Sequence, residues 1–225
     1  MHTTHTPLTF ADHTLHIVEF DPASFHEQDL LWLPHHAQLL SSGRKRKAEH
    51  LAGRIAAVHA LREFGRKTVP GIGAQRQPVW PQNLFGSISH SASTALAVMS
   101  THPVGVDIET IFTLPTAIEL ADGIIDNPER QIMLHASLPF PLALTLAFSA
   151  KESLYKMFSQ HTTALPGFAS AKVTALTPTQ ITLQILPLFS QSLAGQEVNV
   201  RWFQRDENII TFCTNSTPCS RSFSV

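Results

Sequence analysis

The chain has 225 residues, 43% hydrophobic and 15% charged, with a formal net charge of -1 and a pI near 6.9. This composition supplies a substantial core and excludes a disordered chain, while the near-zero charge excludes a global field for nucleic acid or anionic membrane, so any polyanion must be met by a local cluster. Residues 1–10 lack the basic start and apolar run of a leader, no stretch approaches the ~20 apolar residues of a bilayer span, and Cys213 and Cys219 have no metal-site partners in sequence, which together predict a reduced, cytoplasmic protein.

In chain order, residues 15–20 alternate as a short strand, Leu15, Ile17 and Glu19 against His16, Val18 and Phe20. From about 43 to 64, Leu51, Ile55, Val58, Leu61 and Phe64 recur at steps of four and three. That spacing predicts an amphipathic helix, with Gly65 as its stop. Prolines and glycines make residues 70–81 a loop. Residues 84–89 and 95–100 predict a hairpin around Ser91-Ala92-Ser93, and 104–109 a third strand. A helical region follows, broken near Asn127-Pro128, and a stronger helix covers 141–158. Strands are predicted at 171–176, 180–186, 198–204 and 208–214. Helices mixed with antiparallel-looking strands in each half indicate an α+β fold.

Four stretches carry chemistry. In Gly105-Val106-Asp107-Ile108-Glu109, the strand period puts Gly105, Asp107 and Glu109 on one face and Val104, Val106 and Ile108 on the core face. Two carboxylates so placed repel unless a cation lies between them, and oxygen donors suit magnesium. In isolation the pair reads first as an edge strand with solvated acids, because so short a motif is not specific. In Phe148-Ser149-Ala150-Lys151-Glu152-Ser153-Leu154-Tyr155-Lys156, the helical period aligns Ser149, Glu152 and Lys156, which alone is no more than an exposed helix pair. Ser89-His90, in a serine-rich stretch without a G-x-S-x-G elbow, offers donors to phosphate or simply makes a turn. Arg46, His50 and Arg54 stand four apart as a column of positive charge, fit for phosphates or merely a solvated helix start.

Taken together and in this order, the four stretches resemble the phosphopantetheinyl transferases of the large, monomeric type. That family carries a G-(V/I)-D-x-E strand followed by a (F/W)-(S/C)-x-K-E-x-x-x-K helix, here Gly105 to Glu109 and Phe148 to Lys156. The resemblance implies two similar α+β halves related by a pseudo-twofold, each with a helix on a small antiparallel sheet. Residues 1–103 would form the half with the basic coenzyme A-binding helix, and 104–225 the half with the metal-binding strand and helix. It implies transfer of the 4′-phosphopantetheine arm from coenzyme A to a serine of a carrier protein, releasing 3′,5′-ADP. By the same likeness Asp107, Glu109 and Glu152 hold Mg2+ on the pyrophosphate, Ser89, His90 and Lys156 attend the phosphates, and Arg46 and Arg54 take the 3′-phosphate or adenine side. Glu152 is the expected base for the serine hydroxyl, and Lys156 stabilises the leaving charge.

A finer likeness is to the branch serving enterobactin-type siderophore synthetases. It rests on residues 15–22, on Leu31-Trp32-Leu33-Pro34 and on Arg76-Gln77-Pro78-Val79-Trp80-Pro81, where the family often has Gly-Lys-Pro in place of Arg76-Gln77-Pro78. This implies apo aryl and peptidyl carrier domains as partners and a monomer that binds neither nucleic acid nor a membrane through a spanning segment. The rival is another magnesium-dependent enzyme that cleaves a pyrophosphate with water. It lacks both a Glu-rich Nudix-type helix and a G-x-x-x-x-G-K-[ST] loop here. The 13 histidines include no H-E-x-x-H pair that would point to zinc.

Overall fold

In the computed structural model, which describes residues 1–158 and 167–215, two antiparallel sheets each carry one long helix. The elements are β1 (Thr3–Phe10), β2 (His13–Phe20), α1 (Arg44–Glu63), β3 (Gly71–Ile72), β4 (Pro78–Val79), β5 (Phe85–Ser91) and β6 (Thr94–Ser100). They continue with β7 (Val104–Thr110), α2 (Leu114–Ile124), α3 (Asn127–His135), α4 (Phe140–Phe158), β8 (Ala171–Leu176), β9 (Gln180–Ile185), β10 (Glu197–Arg205) and β11 (Asn208–Thr214). The first sheet has the order β1-β2-β6-β5 and the second β7-β11-β10-β9-β8, with β3 and β4 forming a separate small ribbon. No helix among the described residues is long and apolar enough to cross a membrane.

The seat of α1 is built mainly from small side chains. Ala48, Leu51, Ala52, Ala56, Ala57, Ala60 and Leu61 are buried against Val18, Phe20, Ala95 and Ala97 of the first sheet. Alanine favours the helix and lets it lie close to the strands. Gly53 extends the close approach, since a Cβ there would meet Ile88 at 2.8 Å. The start of α3 is set by a capping box between Asp126 and Glu129, with Pro128 in the first turn.

The sheets meet edge to edge. Strands β5 and β7 run side by side without a backbone ladder, and the Ser87 hydroxyl takes its place, donating to the Val106 carbonyl (3.3 Å) and accepting from the Val106 amide (3.0 Å). Behind this seam Leu15, Ile17, Leu96 and Val98 pack on Val104, Val106, Ile108, Ile210 and Phe212. Strand β2 is thus covered on both faces, by α1 and by the second sheet, so its alternation does not separate inside from outside as the sequence suggests.

Strand β1 is absent from the sequence expectations. It is an edge strand, mostly exposed and rich in Thr, and only Leu8 and Phe10 at its end turn an apolar face to the core. Residues around Leu31 to Leu33 fold as short 3-10 turns. On the α1 side of β1 and β2, His5 stacks on His59 with centroids 3.6 Å apart and meets His16 at 3.0 Å. The far nitrogen of His16 lies 3.1 Å from Glu63. Burial lowers the pKa of all three imidazoles, that of His59 to about 4, so the stack is neutral.

Candidate functional site

The acid cluster grows from the contact of β7 with α4. Gly105 allows it: a Cβ at that position would lie 1.9 Å from the Ser153 carbonyl oxygen and 2.9 Å from the Met157 nitrogen. Two residues on, Asp107 is therefore pressed against the helix and is only 5% exposed. Its Oδ1 accepts from the Lys156 ammonium (2.6 Å) and the Ser89 hydroxyl (2.7 Å), and its Oδ2 accepts from the Ser149 hydroxyl (2.7 Å). Lys156 also donates to Ser89 at 2.9 Å. Behind Ser149 lie two further buried hydroxyls: Thr211 Oγ1 is 2.9 Å from Ser149 Oγ and 2.7 Å from Ser153 Oγ.

Glu109 follows on the same strand face. Burial, and then the charge of Asp107, push its carboxyl pKa up to about 7. Glu152 on α4 is also raised, by burial foremost and by Asp107, with Lys156 opposing. Two carboxylates raised by burial and by the charge of Asp107 in a partly dry site gain from a divalent cation, and an all-oxygen donor set fits magnesium. Among the described residues no three His, Cys, Asp or Glu side chains already converge as a cage, and both Asp107 oxygens are engaged by Lys156, Ser89 and Ser149.

A basic cavity lies beside this cluster, joined to it by consecutive residues of β5. Ser89 turns to Asp107, whereas His90 Nε2 accepts from Arg46 at 2.9 Å and His90 Nδ1 faces Glu49 at 3.8 Å. Arg46, Glu49, His50, Gly53, Arg54, Arg76, Pro78, Ile88 and His90 line the cavity. Arg54 is 5% exposed. Its guanidinium donates to the Pro70 (2.9 Å) and Gly71 (3.1 Å) carbonyls, tethering the loop that leads to Arg76. The column of positive charge expected from Arg46, His50 and Arg54 is thus only partly charged. Burial and the neighbouring Arg54 drive the His50 pKa down to about 3, so it is a neutral ring.

Two features were not visible in sequence. Lys151, inside the helical motif, points away from the cleft and forms a buried pair with Glu129 at 2.8 Å, both side chains 4% exposed. It also donates to the Ile124 (2.8 Å) and Phe168 (3.1 Å) carbonyls. Arg76 enters the basic cavity because its own backbone adopts a left-handed turn, φ 64°, a geometry that no spacing rule signals.

The spans that carry these two clusters match known families. Residues 35–100 match the family model described as the 4′-phosphopantetheinyl transferase N-terminal domain, and residues 103–213 match that of the 4′-phosphopantetheinyl transferase superfamily. The chain belongs to the 4′-phosphopantetheinyl transferase superfamily. This transferase is 64% identical over 217 residues to the enterobactin synthase component D of Salmonella typhi, covering 96% of this chain and 92% of the relative. It is 54% identical over 213 residues to that of Escherichia coli O157:H7, covering 95% and 98%. It is also 30% identical over 166 residues to the 4′-phosphopantetheinyl transferase Npt of Nocardia iowensis, covering 68% and 73%. The matched spans contain the acid cluster and the basic cavity of this transferase, so both sit in its shared part.

Proposed function

We propose that this transferase moves the 4′-phosphopantetheine arm of coenzyme A to a serine of the aryl and peptidyl carrier domains of an enterobactin-type siderophore synthetase. One observation carries the site assignment: an acid cluster and a cationic cavity abut at the β5–β7 seam, with Ser89 in one and His90 in the other. A pyrophosphate with a second phosphate further along fits such a pair of environments. Residues 1–103 supply the cationic half and residues 104–225 the acidic half. The same proposal has the protein acting as a cytoplasmic monomer.

Arg46 and Arg54 hold the 3′-phosphate side, with guanidinium forks suited to phosphate. Ser89, His90 and Lys156 attend the pyrophosphate. Asp107, Glu109 and Glu152 hold Mg2+, which when bound would offset negative charge on the pyrophosphate oxygens. Glu152, with its raised pKa, accepts the proton of the carrier serine hydroxyl, directly or through one water. The serine oxygen forms a bond to the phosphorus bearing the pantetheine arm, the bond to the bridging oxygen breaks, and 3′,5′-ADP leaves with the electron pair. Lys156 donates hydrogen bonds to the oxygens on which that charge gathers.

The test is mass spectrometry of an apo aryl carrier domain incubated with the enzyme, coenzyme A and Mg2+. A gain of one phosphopantetheine, lost when a chelator replaces the metal, is expected. An unmodified carrier with free phosphopantetheine in solution would instead indicate hydrolysis. Transfer to a fatty-acid carrier as efficient as to the siderophore domains would remove the siderophore assignment.

A further inference from the structure

His50 and His35 touch through their Nε2 atoms at 2.9 Å, with the rings edge-on at 80°. His50 lines the basic cavity, and its Nδ1 makes no hydrogen bond with any described residue. The groups facing it are Arg46, Arg54 and Glu49 on α1, His90 on β5, His35 before the first turn of its 3-10 segment, and Arg76 from the loop between β3 and β4. Burial first, and then the guanidiniums nearby, keep both rings uncharged, so a single hydrogen lies on each imidazole of the pair. One of the two facing nitrogens must therefore carry a proton and the other must accept it. If His35 donates to His50 Nε2, His50 holds its own hydrogen on Nδ1. A cavity rimmed by Arg46, Arg54, Arg76 and His90 attracts an anion, and an anion favours this tautomer because it presents a donor.

We propose that His50 is a further specificity residue of the coenzyme cavity, donating from Nδ1 to the 3′-phosphate, and that His35 is the positioning residue that fixes its tautomer. The proposal rests on coenzyme A occupying this cavity as described above. Neutrality matters to it. A histidine titrating near pH 6.5 would weaken its hold on phosphate as the pH rose, whereas a neutral donor next to permanent guanidiniums holds equally well across the physiological range. Among the described residues His35 makes no hydrogen bond to a cavity group other than His50, so its effect on the coenzyme passes through that ring.

Calorimetric titration of the full chain with coenzyme A and with 3′-dephospho-coenzyme A tests this. His50→Ala should weaken coenzyme A binding about 5- to 30-fold, the range for one phosphate hydrogen bond, and change the dephospho form less than about twofold. His50→Phe, which keeps the ring volume and deletes both nitrogens, carries the same expectation if the alanine variant folds poorly. His35→Ala should act in the same direction but more weakly, His35→Gln should restore most of the affinity through its amide donor, and His35→Ala should add nothing in a His50→Phe background. The wild-type advantage of His50 over His50→Phe should be flat from pH 6.5 to 8. Equal losses for both coenzymes, or additive effects of the two histidines, would overturn the assignment. A wild-type chain that binds neither coenzyme would instead sink the transferase site itself.

Discussion

Replacing Gly105 by Ala tests how the acid cluster is assembled. The added methyl would sit 1.9 Å from the Ser153 carbonyl oxygen, whereas a carbon–oxygen contact is comfortable only from about 3.3 Å. Both sides of the clash are backbone, one in β7 and one in α4, so no rotamer change relieves it. The helix has to retreat by roughly an ångström, and overpacking of this kind costs about 3 kcal/mol or more. For a chain of this size that lowers the Tm by about 6–12 °C. Retreat of α4 also carries Ser149, Glu152 and Lys156 away from Asp107, and a displacement of about 1 Å between catalytic groups is enough to cost ~100-fold in rate. Differential scanning calorimetry with single-turnover transfer measures both. Gly123 in α2 is the control, because an added Cβ there would meet nothing within 4 Å. Gly123→Ala should be neutral or stabilising by up to about 1 kcal/mol. A Gly105→Ala variant that melts within about 2 °C of wild type, the shift from roughly 1 kcal/mol, and transfers at the native rate would refute this account of the seam.

Glu152→Gln should lower kcat by about 100- to 10,000-fold with little change in KM for coenzyme A, and a change confined to KM would remove its role as base. Lys151→Ala should destabilise by about 3–5 kcal/mol in urea unfolding, since it leaves the Glu129 charge buried without its cation. Adding Glu129→Gln should recover part of the loss, and a single-variant cost under about 1 kcal/mol, the value of an exposed pair, would contradict the burial. The His59 ring, with its pKa lowered to about 4, binds its proton less readily folded than unfolded, so its contribution to stability is intact above the unfolded pKa of ~6.5 and is lost as pH falls toward 4. His59→Gln should therefore flatten the acid limb of a Tm-against-pH curve, and an unchanged slope between pH 6.5 and 4 would show that the stack does not govern it.

What the sequence revealed and what it hid follow from the kind of contact involved. The period-two face of Gly105, Asp107 and Glu109 and the helical face of Ser149, Glu152 and Lys156 are properties of single elements. Both survive in the fold, where Ser149 and Lys156 meet Asp107. The hairpin of β5 and β6 was readable for the same reason, as two short runs flanking Ser91-Ala92-Ser93, although the left-handed φ of 50° at Ala92 was not. Strand β1 was hidden because an exposed edge needs no hydrophobic alternation. The anchoring of Arg54 and Lys151 was passed over because it runs largely through backbone carbonyls of other segments, Pro70 and Gly71 for the one and Ile124 and Phe168 for the other. Carbonyls leave no mark in a side-chain pattern. The neutral state of His50 likewise depends on what surrounds it in three dimensions.

The buried hydroxyls behind Asp107 have a direction. An ionised carboxylate only accepts, so Ser149 must give its single hydrogen to Asp107. Thr211 gives its own to the Ser149 carbonyl at 3.0 Å, which leaves Ser153 to donate to Thr211. All three residues have 0% exposure, so these protons exchange with water only when α4 lifts from the second sheet. The Ser149 hydroxyl should then appear as a slowly exchanging, downfield resonance in a proton spectrum. Its chemical shift would report the charge on Asp107 from inside the core, where no ligand or solvent competes for the signal.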